Sequence, residues 1–151
     1  MKGAALDGDH RVMPFVVDLS MAAAWIVPDE DSEAAAALMR RLPGTRAPVP
    51  SLFWHEARNV VLIAERCGRI AAGEAATTMA RLRRLPLEDA GGGSDGAVLS
   101  LAASHGLSVY DAAYLALAIE TELPLATLDR KLAFAARGQG VRILGPLANG
   151  N

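Results

Sequence analysis

LSVYDAAYLALA, residues 107–118, is the stretch of sequence that decides the fold. From Ser108 to Glu120 the chain is apolar on nearly every side of a helix, which predicts a helix covered by other elements on several faces. Asp111 lies inside this apolar run. A carboxylate carried into such surroundings has to be protonated, paired or bound to a cation. The stretch therefore predicts a buried helix. It also predicts that the Asp111 carboxylate is protonated, paired or bound to a cation.

Short apolar strands and longer helical segments alternate along the rest of the chain. Phe15 to Val17 is a continuous apolar run, which is typical of a strand buried on both faces. Predicted strands cover residues 15–17, 47–49, 87–88, 123–127 and 141–144, and predicted helices cover residues 20–27, 32–42, 51–67, 70–85, 94–104, 108–120 and 129–137. This alternation predicts an α/β sandwich with a mainly parallel sheet.

One domain accounts for the length and composition of the chain. Of its 151 residues 52% are apolar, which is enough for a single well-filled core. We expect this domain to cover residues 14–147, with a disordered N-terminal extension over residues 1–13 and a C-terminal tail over residues 148–151. The formal net charge of −2 argues against a protein that holds nucleic acid through a general basic surface.

Cysteine content and hydropathy indicate the compartment. Cys67 is the only cysteine, so an intrachain disulfide and a zinc site built from thiolates are excluded. Charges interrupt the alanine-rich segments, and the N-terminal region has no apolar stretch long enough for a signal-peptide core, so neither export nor a membrane span is expected. We therefore expect a cytoplasmic protein.

Four acidic residues lie within or beside apolar runs: Asp18, Glu56, Asp111 and Asp129. Taken singly, the three aspartates have structural explanations. Asp18 and Asp129 follow predicted strands, where an aspartate commonly caps the next helix. Ser108 and Asp111 have the spacing of a capping box. None of these three acids requires a function when it is considered alone.

Glu56 is harder to explain by local structure. Leu52, Phe53, Val60 and Ile63 are placed on the same helical face as this glutamate, so we expect its side chain to point inward. An unpaired buried carboxylate costs several kcal/mol or shifts its pKa strongly, so a partner or a cation is expected beside it. A structural salt bridge remains the alternative.

Together the four acids predict a metal site. In open α/β sheets the carboxyl ends of the strands form the ligand crevice, so we expect Asp18 and Asp129, which follow predicted strands, at one edge. Four carboxylates gathered there form an oxygen-rich, negative pocket of the kind that hard cations such as Mg²⁺ or Mn²⁺ select. This pattern points to metal-assisted phosphoryl chemistry.

Four segments resemble those of PIN-domain ribonucleases, in particular the VapC-type toxins of bacterial type II toxin–antitoxin systems. FVVDLSMAAAW at residues 15–25 is similar to the first strand of that family with its leading acid, and WHEARNVV at residues 54–61 is similar to the helix that supplies the second acid. LSVYDAAYLALA at residues 107–118 and LATLDRKL at residues 125–132 resemble the segments that supply the third and fourth. The resemblance covers most of residues 14–147.

This resemblance implies a fold, an activity and partners. The implied fold is a PIN-like three-layer α/β/α sandwich with a mainly parallel five-stranded sheet in the order 3-2-1-4-5. The implied activity is magnesium-dependent endonucleolytic cleavage of RNA by metal-activated water, with Mn²⁺ able to replace Mg²⁺. The implied catalytic and metal-binding residues are Asp18, Glu56, Asp111 and Asp129, with Ser20 and Thr127 either supporting these residues or orienting water or phosphate. A homodimer and a cognate antitoxin are also implied.

Three rival functions are compatible with an acidic α/β domain. A signalling receiver domain needs a phosphorylatable aspartate after a central strand, but Pro50 and Ser51 follow the second predicted strand. A haloacid-dehalogenase-like phosphatase needs Asp-x-Asp, whereas Ser20 stands two positions after Asp18. The third rival, a non-catalytic interaction module in which the acids are helix caps, stays open.

Overall fold

A computed structural model describes residues 13–27 and 32–149 of the chain. These residues form seven helices and five short strands. The strands are β1 (Val16–Val17), β2 (Ala47–Val49), β3 (Leu87–Asp89), β4 (Leu125–Ala126) and β5 (Ile143–Leu144). The helices are α1 (Leu19–Ile26), α2 (Glu33–Arg41), α3 (Leu52–Arg66), α4 (Ala75–Arg83), α5 (Asp95–His105), α6 (Val109–Thr121) and α7 (Arg130–Gly138). The predicted α/β class is confirmed. The predicted N-terminal extension, residues 1–13, lies outside the described residues except for Met13.

All the strand pairs are parallel, but within the described chain they form two small sheets. β4 lies between β1 and β5 in one ladder, and β2 pairs with β3 in the other. The ladders therefore do not join into the single sheet expected in the order 3-2-1-4-5, although β2 lies beside β1 as that order requires. Strands of two or three residues offer few ladder bonds, so the loss of one or two divides the sheet.

Helix α6 is the central helix, as its apolar sequence predicts. It packs against β1, β2 and β4 and also against α5 and α7. Its buried residues are Ala112, Ala113, Tyr114, Leu115, Leu117 and Ala118. The hydroxyl of Ser108 caps the helix by accepting the backbone N–H of Asp111 at 3.1 Å. The sheets and the flanking helices thus cover α6 on several sides and hold its first turn in place.

Strand β1 leads the chain directly to one edge of the sheet. Phe15, Val16 and Val17 are completely buried, as the continuous apolar run predicts. The backbone N–H of Asp18 donates to the carbonyl of Ala126 at 3.1 Å, which places the ends of β1 and β4 side by side. Residues that follow these two strands therefore meet at the same edge.

Helix α4 begins later than predicted. The expected start was Ile70, but the helix begins at Ala75. Gly73 has a φ of 86°, which interrupts a right-handed helix. The carboxylate of Glu65 accepts the backbone N–H of Gly73 at 2.7 Å and that of Ala75 at 3.2 Å. A carboxylate from the preceding helix therefore fixes where α4 starts.

The start of α3 also differs from the prediction in one respect. Ser51 precedes the helix as expected, but its side chain does not cap it. The hydroxyl instead donates to the carboxylate of Asp89 at 2.9 Å, at the end of β3.

No helix in the described residues is long and apolar enough to cross a membrane.

Candidate active site

The four acids predicted from the sequence line one cavity of about 180 Å³. Asp18 follows β1 and Asp129 lies shortly after β4, whereas Glu56 and Asp111 come from α3 and α6. The other residues that line this cavity, which we call the acid pocket, are Leu19, Ser20, Ala23, Val60 and Tyr114. The fold thus brings together four carboxylates that are far apart in the sequence.

Asp18 is buried, with 4% of its surface exposed. Its Oδ1 accepts the Ser20 hydroxyl at 2.6 Å and the backbone N–H of Met21 at 3.1 Å, while its Oδ2 accepts the Thr127 hydroxyl at 2.6 Å. The bond from Met21 makes Asp18 the N-cap of α1, as its position after a strand predicts. Three donors leave part of the acceptor capacity of a carboxylate, which has about four lone-pair sites. Capping and metal binding are therefore compatible.

Ser20 and Thr127 connect segments of the acid pocket. The Thr127 hydroxyl donates to Asp18 and accepts the backbone N–H of Asp129 at 2.9 Å. The Ser20 hydroxyl donates to Asp18 and accepts the backbone N–H of Leu128 at 2.9 Å. Thr127 is completely buried, and its hydroxyl holds the Asp18 carboxylate and the backbone of Asp129 in position. This arrangement agrees with a role in supporting the acids, and the orientation of water or phosphate stays a prediction.

Removal of the Thr127 hydroxyl is expected to lower the free energy of unfolding by about 1–3 kcal/mol. Thr127→Val keeps the shape of the side chain but leaves the backbone N–H of Asp129 and one oxygen of Asp18 without their partner. Urea unfolding followed by circular dichroism measures the loss. Thr77→Val, at an exposed position of α4, is the matched control. Equally small effects of the two substitutions would contradict this role of Thr127.

Glu56 was expected to point inward, and it lies at the edge of the packed face of α3. The buried residues of this helix are Phe53, Ala57, Val61 and Ala64. Ile63, which was expected on the buried face, is 46% exposed. Glu56 itself is half-buried, and its Oε1 accepts a hydrogen bond of 2.6 Å from the hydroxyl of Tyr114.

Tyr114 is a residue of the acid pocket that was not among the predicted site residues. Burial raises its pKa above the ordinary tyrosine value, and the bond to Glu56 adds to the rise, so the hydroxyl stays protonated and donates. One signal was present in the sequence, because Asp111 and Tyr114 are three residues apart and share a helical face. Nothing in the sequence, however, indicates that this face meets α3 at Glu56.

Asp111 and Asp129 lie at the N-terminal ends of two helices. Asp129 is the N-cap of α7, and its Oδ1 accepts the backbone N–H of Leu132 at 3.0 Å, as expected for an acid after a strand. Asp111 lies in the first turn of α6, where Ser108 is the N-cap. The positive end of a helix macrodipole stabilises negative charge by about 0.3–1 kcal/mol. Both acids therefore lie at the positive end of a helix.

Burial and mutual repulsion raise the pKa of Asp18, Glu56 and Asp111. Burial raises the pKa of Asp18 to about 6, and the charge of Asp129 adds to the rise. Burial also raises the pKa of Glu56, and the charge of Asp111 adds to that rise. Burial raises the pKa of Asp111 as well, and there the charge of Asp129 adds to the rise. Among the described groups, the cation that opposes these effects is Lys131, which lowers the pKa of Asp111. The pocket is therefore a set of interacting negative charges with little basic compensation.

The chemistry of the acid pocket fits a hard divalent cation held partly through water. Carboxylate oxygens are preferred ligands of Mg²⁺ and Mn²⁺, and four carboxylates line this cavity. In residues 13–27 and 32–149, no three acidic, histidine or cysteine side chains stand together as a ready-made ligand set. Mg²⁺ usually keeps several waters and takes one or two carboxylates. A water-rich coordination therefore suits the spacing of these acids.

A larger cavity, of about 510 Å³, lies near the opposite ends of the strands. Pro124 and Arg142, which precede β4 and β5, contribute to its lining. Its charged residues are Arg41, Glu122 and Arg142. These three side chains are exposed or only partly buried and include a single carboxylate, so the smaller acid pocket is the better candidate.

The chain matches a known family over most of its length. The model of the PIN domain family matches residues 15–138, a span that contains all four acids. The chain therefore belongs to the PIN domain family.

Individual relatives narrow this assignment. Ribonuclease VapC3 of Pyrobaculum aerophilum is 34% identical over 132 residues, covering 80% of this chain and 93% of that protein. The chain is thus a VapC-type member of the family, as the four sequence segments predict. The crystal structure of PAE2754 from Pyrobaculum aerophilum matches with a TM-score of 0.64 and 23% sequence identity, covering 84% of this chain and 82% of that chain. This second likeness supports the fold alone.

Proposed function

We propose that this chain is a magnesium-dependent endoribonuclease and the toxin of a toxin–antitoxin pair. The observation that carries the proposal is the acid pocket, in which four carboxylates from separate elements line one cavity within the span that matches the PIN domain. The relative named Ribonuclease VapC3 supports RNA as the substrate. The VapC resemblance supports the toxin role.

In this proposal Asp18 and Asp111 hold the principal cation, and Glu56 and Asp129 complete its surroundings directly or through water. A bound divalent cation supplies Lewis acidity toward the scissile phosphate and the attacking water. Without a cation the four carboxylates repel the RNA backbone, because like charges a few ångströms apart interact by several kcal/mol at an effective dielectric constant of about 20. Mn²⁺ is expected to replace Mg²⁺, since both prefer oxygen ligands.

A non-catalytic interaction module is the second candidate, and the helix caps favour it. Asp18 and Asp129 do cap α1 and α7 through their side chains. Caps do not explain Glu56, which lies within α3 and caps no helix, yet lines the same cavity. The nuclease is therefore the function that the pocket supports better.

Two protein partners belong to the proposal. We propose a homodimer because several large apolar side chains remain exposed on the described surface. These are Met13, Leu62, Ile63, Leu99, Val109, Tyr110, Ile119 and Phe134. We also propose a cognate antitoxin that covers the acid pocket, as the resemblance implies. The cytoplasmic location stays a prediction.

Purified protein is expected to cleave RNA with Mg²⁺ or Mn²⁺ and to be inactive in EDTA. The reason is that the acid pocket has too little positive charge of its own to receive a phosphate. Gel electrophoresis of end-labelled RNA measures cleavage, and the products are expected to carry 5′-phosphate and 3′-hydroxyl ends. Recovery of activity when Mn²⁺ replaces EDTA is the control for damage to the protein. Cleavage that persists in EDTA would contradict a metal-dependent mechanism, and inactivity with both ions would favour the interaction module.

A further inference from the structure

The hydroxyl of Tyr114 is joined to the carboxylate of Glu56 inside the acid pocket. It donates to Glu56 Oε1 at 2.6 Å, a distance typical of a strong hydrogen bond to a charged oxygen. Tyr114 belongs to α6 and Glu56 to α3. The bond therefore ties the central helix to the helix that supplies the second acid.

The position of Tyr114 limits what it is able to do. Its side chain is only 1% exposed and its ring belongs to the hydrophobic core. A group so deeply buried does not contact an RNA strand outside the pocket. Its hydroxyl acts on the pocket through the one carboxylate to which it donates.

Glu56 needs such a partner more than Asp18 and Asp129 do. Asp18 is held by three hydrogen bonds, and Asp129 is held as a helix cap. Glu56 is half-buried on a different helix, and a glutamate loses up to about 2 kcal/mol of side-chain entropy when its rotamer is fixed. The bond from Tyr114 fixes that rotamer before a cation arrives.

Tyr114 and Asp111 are presented by the same face of α6. They are three residues apart, so they lie on adjacent turns of the helix. One turn thus supplies an acid directly, and the next turn holds a second acid through a hydroxyl. The central helix sets the position of both.

We propose that Tyr114 is a positioning residue of the acid pocket, which holds the Glu56 carboxylate in the orientation in which it helps to bind a divalent cation. The inference rests on the proposed function, because it assigns a role within the same site. Groups that orient metal ligands commonly change metal affinity or activity 10–100-fold when they are removed. A tyrosine retained only for packing has no such effect.

A double-mutant cycle with Mn²⁺ as the probe tests this role in the absence of RNA. Electron paramagnetic resonance of the free ion gives the dissociation constant for wild type, Tyr114→Phe, Glu56→Gln and the double variant. We expect Tyr114→Phe to raise the constant about ten-fold or more in the wild-type background. In the Glu56→Gln background it should change the constant little, because the carboxylate it positions is gone. Equal effects in both backgrounds would overturn the role.

Two control variants separate positioning from general structural effects. Tyr110→Phe makes the same chemical change on the same helix at a side chain that is 59% exposed. Thr78→Val removes a buried hydroxyl that donates to the Glu74 carbonyl at 2.9 Å on α4. Both should keep the Mn²⁺ affinity of wild type. In RNA cleavage at saturating Mn²⁺, Tyr114→Phe should lower kcat and leave KM unchanged, and a change in KM alone would overturn the role.

The outcomes distinguish this role from the proposed function itself. A wild-type protein that binds no Mn²⁺ overturns both, whereas equal binding by wild type and Tyr114→Phe overturns the positioning role alone. If Tyr114→Phe melts far below wild type, Mn²⁺ binding by every variant is measured at a lower temperature, at which circular dichroism shows that all of them are folded. A loss of affinity that disappears in the Glu56→Gln background then supports the role, and equal effects in both backgrounds overturn it.

Discussion

Asp18→Asn is expected to lower metal-dependent RNA cleavage about a thousand-fold or more while leaving the fold intact. Asparagine has nearly the same volume, and its side-chain oxygen still accepts hydrogen bonds in the place where Asp18 accepts those of Ser20 and Met21. The substitution removes the negative charge that holds the cation, and metal ions contribute several kcal/mol of charge stabilisation in the transition state. Each 1.36 kcal/mol corresponds to a factor of ten in rate.

Single-turnover cleavage at saturating Mg²⁺ measures this loss, and circular dichroism checks that the variant is folded. Asp95→Asn is the matched control, because Asp95 is an exposed acid in the first turn of α5 and is not a residue of the acid pocket. It should keep the wild-type rate. Expression of wild type should also slow the growth of a bacterial host, and Asp18→Asn should relieve this effect. Cleavage by Asp18→Asn at the wild-type rate would rule out the proposed role of Asp18.

The positions of Asp18 and Asp129 were predictable because they follow from strand topology. A continuous apolar run indicates a buried strand, parallel strands end at a common edge, and an acid just after such a run lies at that edge. The apolar pattern of α6 placed Asp111 in the central helix for similar reasons. The division into two ladders was not predictable, because strands of two or three residues carry little information about register.

The orientation of Glu56 was predicted less well because small residues form much of the packed face of α3. Ala57 and Ala64 are buried, whereas Ile63 is largely accessible. A prediction based on large apolar residues therefore places the buried face of the helix too close to Ile63. Alanines are buried where elements approach closely, and that depends on the packing of the whole domain.

Sequence patterns did not predict the hydrogen bonds between residues that are far apart in the chain. Capping motifs describe bonds within a few residues, so they correctly identified Ser108 as the cap of α6. Ser51 was expected to cap α3 in the same way, but its hydroxyl bonds to Asp89 on another element. The bond between Tyr114 and Glu56 is of this non-local kind as well. The arrangement of the pocket therefore depends on contacts that exist only after folding.

In the metal-free protein, Asp18 alone is expected to lower the free energy of unfolding by about 3 kcal/mol as the pH rises from about 3 to about 7. Burial raises the pKa of this carboxyl from 3.8 to about 6 in the folded state. Below pH 3.8 the carboxyl is protonated in both states, and its contribution to stability is fully present. As the pH rises through 6, the unfolded chain has already released the proton, while the folded chain releases it only at a cost. The contribution is then lost.

Asp18→Asn removes this titration, so in EDTA the stability of the variant relative to wild type should increase with pH. The difference between the two proteins should grow by about 3 kcal/mol between about pH 3 and pH 7. Urea unfolding across this range measures it, with Glu120→Gln, at an exposed position of α6, as the control for loss of a surface carboxylate. A difference that is independent of pH would contradict the effect of burial on Asp18.

Mn²⁺ should change the order of stability at neutral pH. An ion that binds only the folded state stabilises it by about 2.7 kcal/mol at a concentration about 100 times its dissociation constant. Wild type should gain more than Asp18→Asn, because the variant lacks a charge that binds the ion. A helix cap without a metal role predicts a different result, since asparagine caps a helix about as well as aspartate does. Mn²⁺ would then stabilise wild type and Asp18→Asn equally, whereas a carboxylate that binds the ion makes wild type gain more stability than the variant when Mn²⁺ is added.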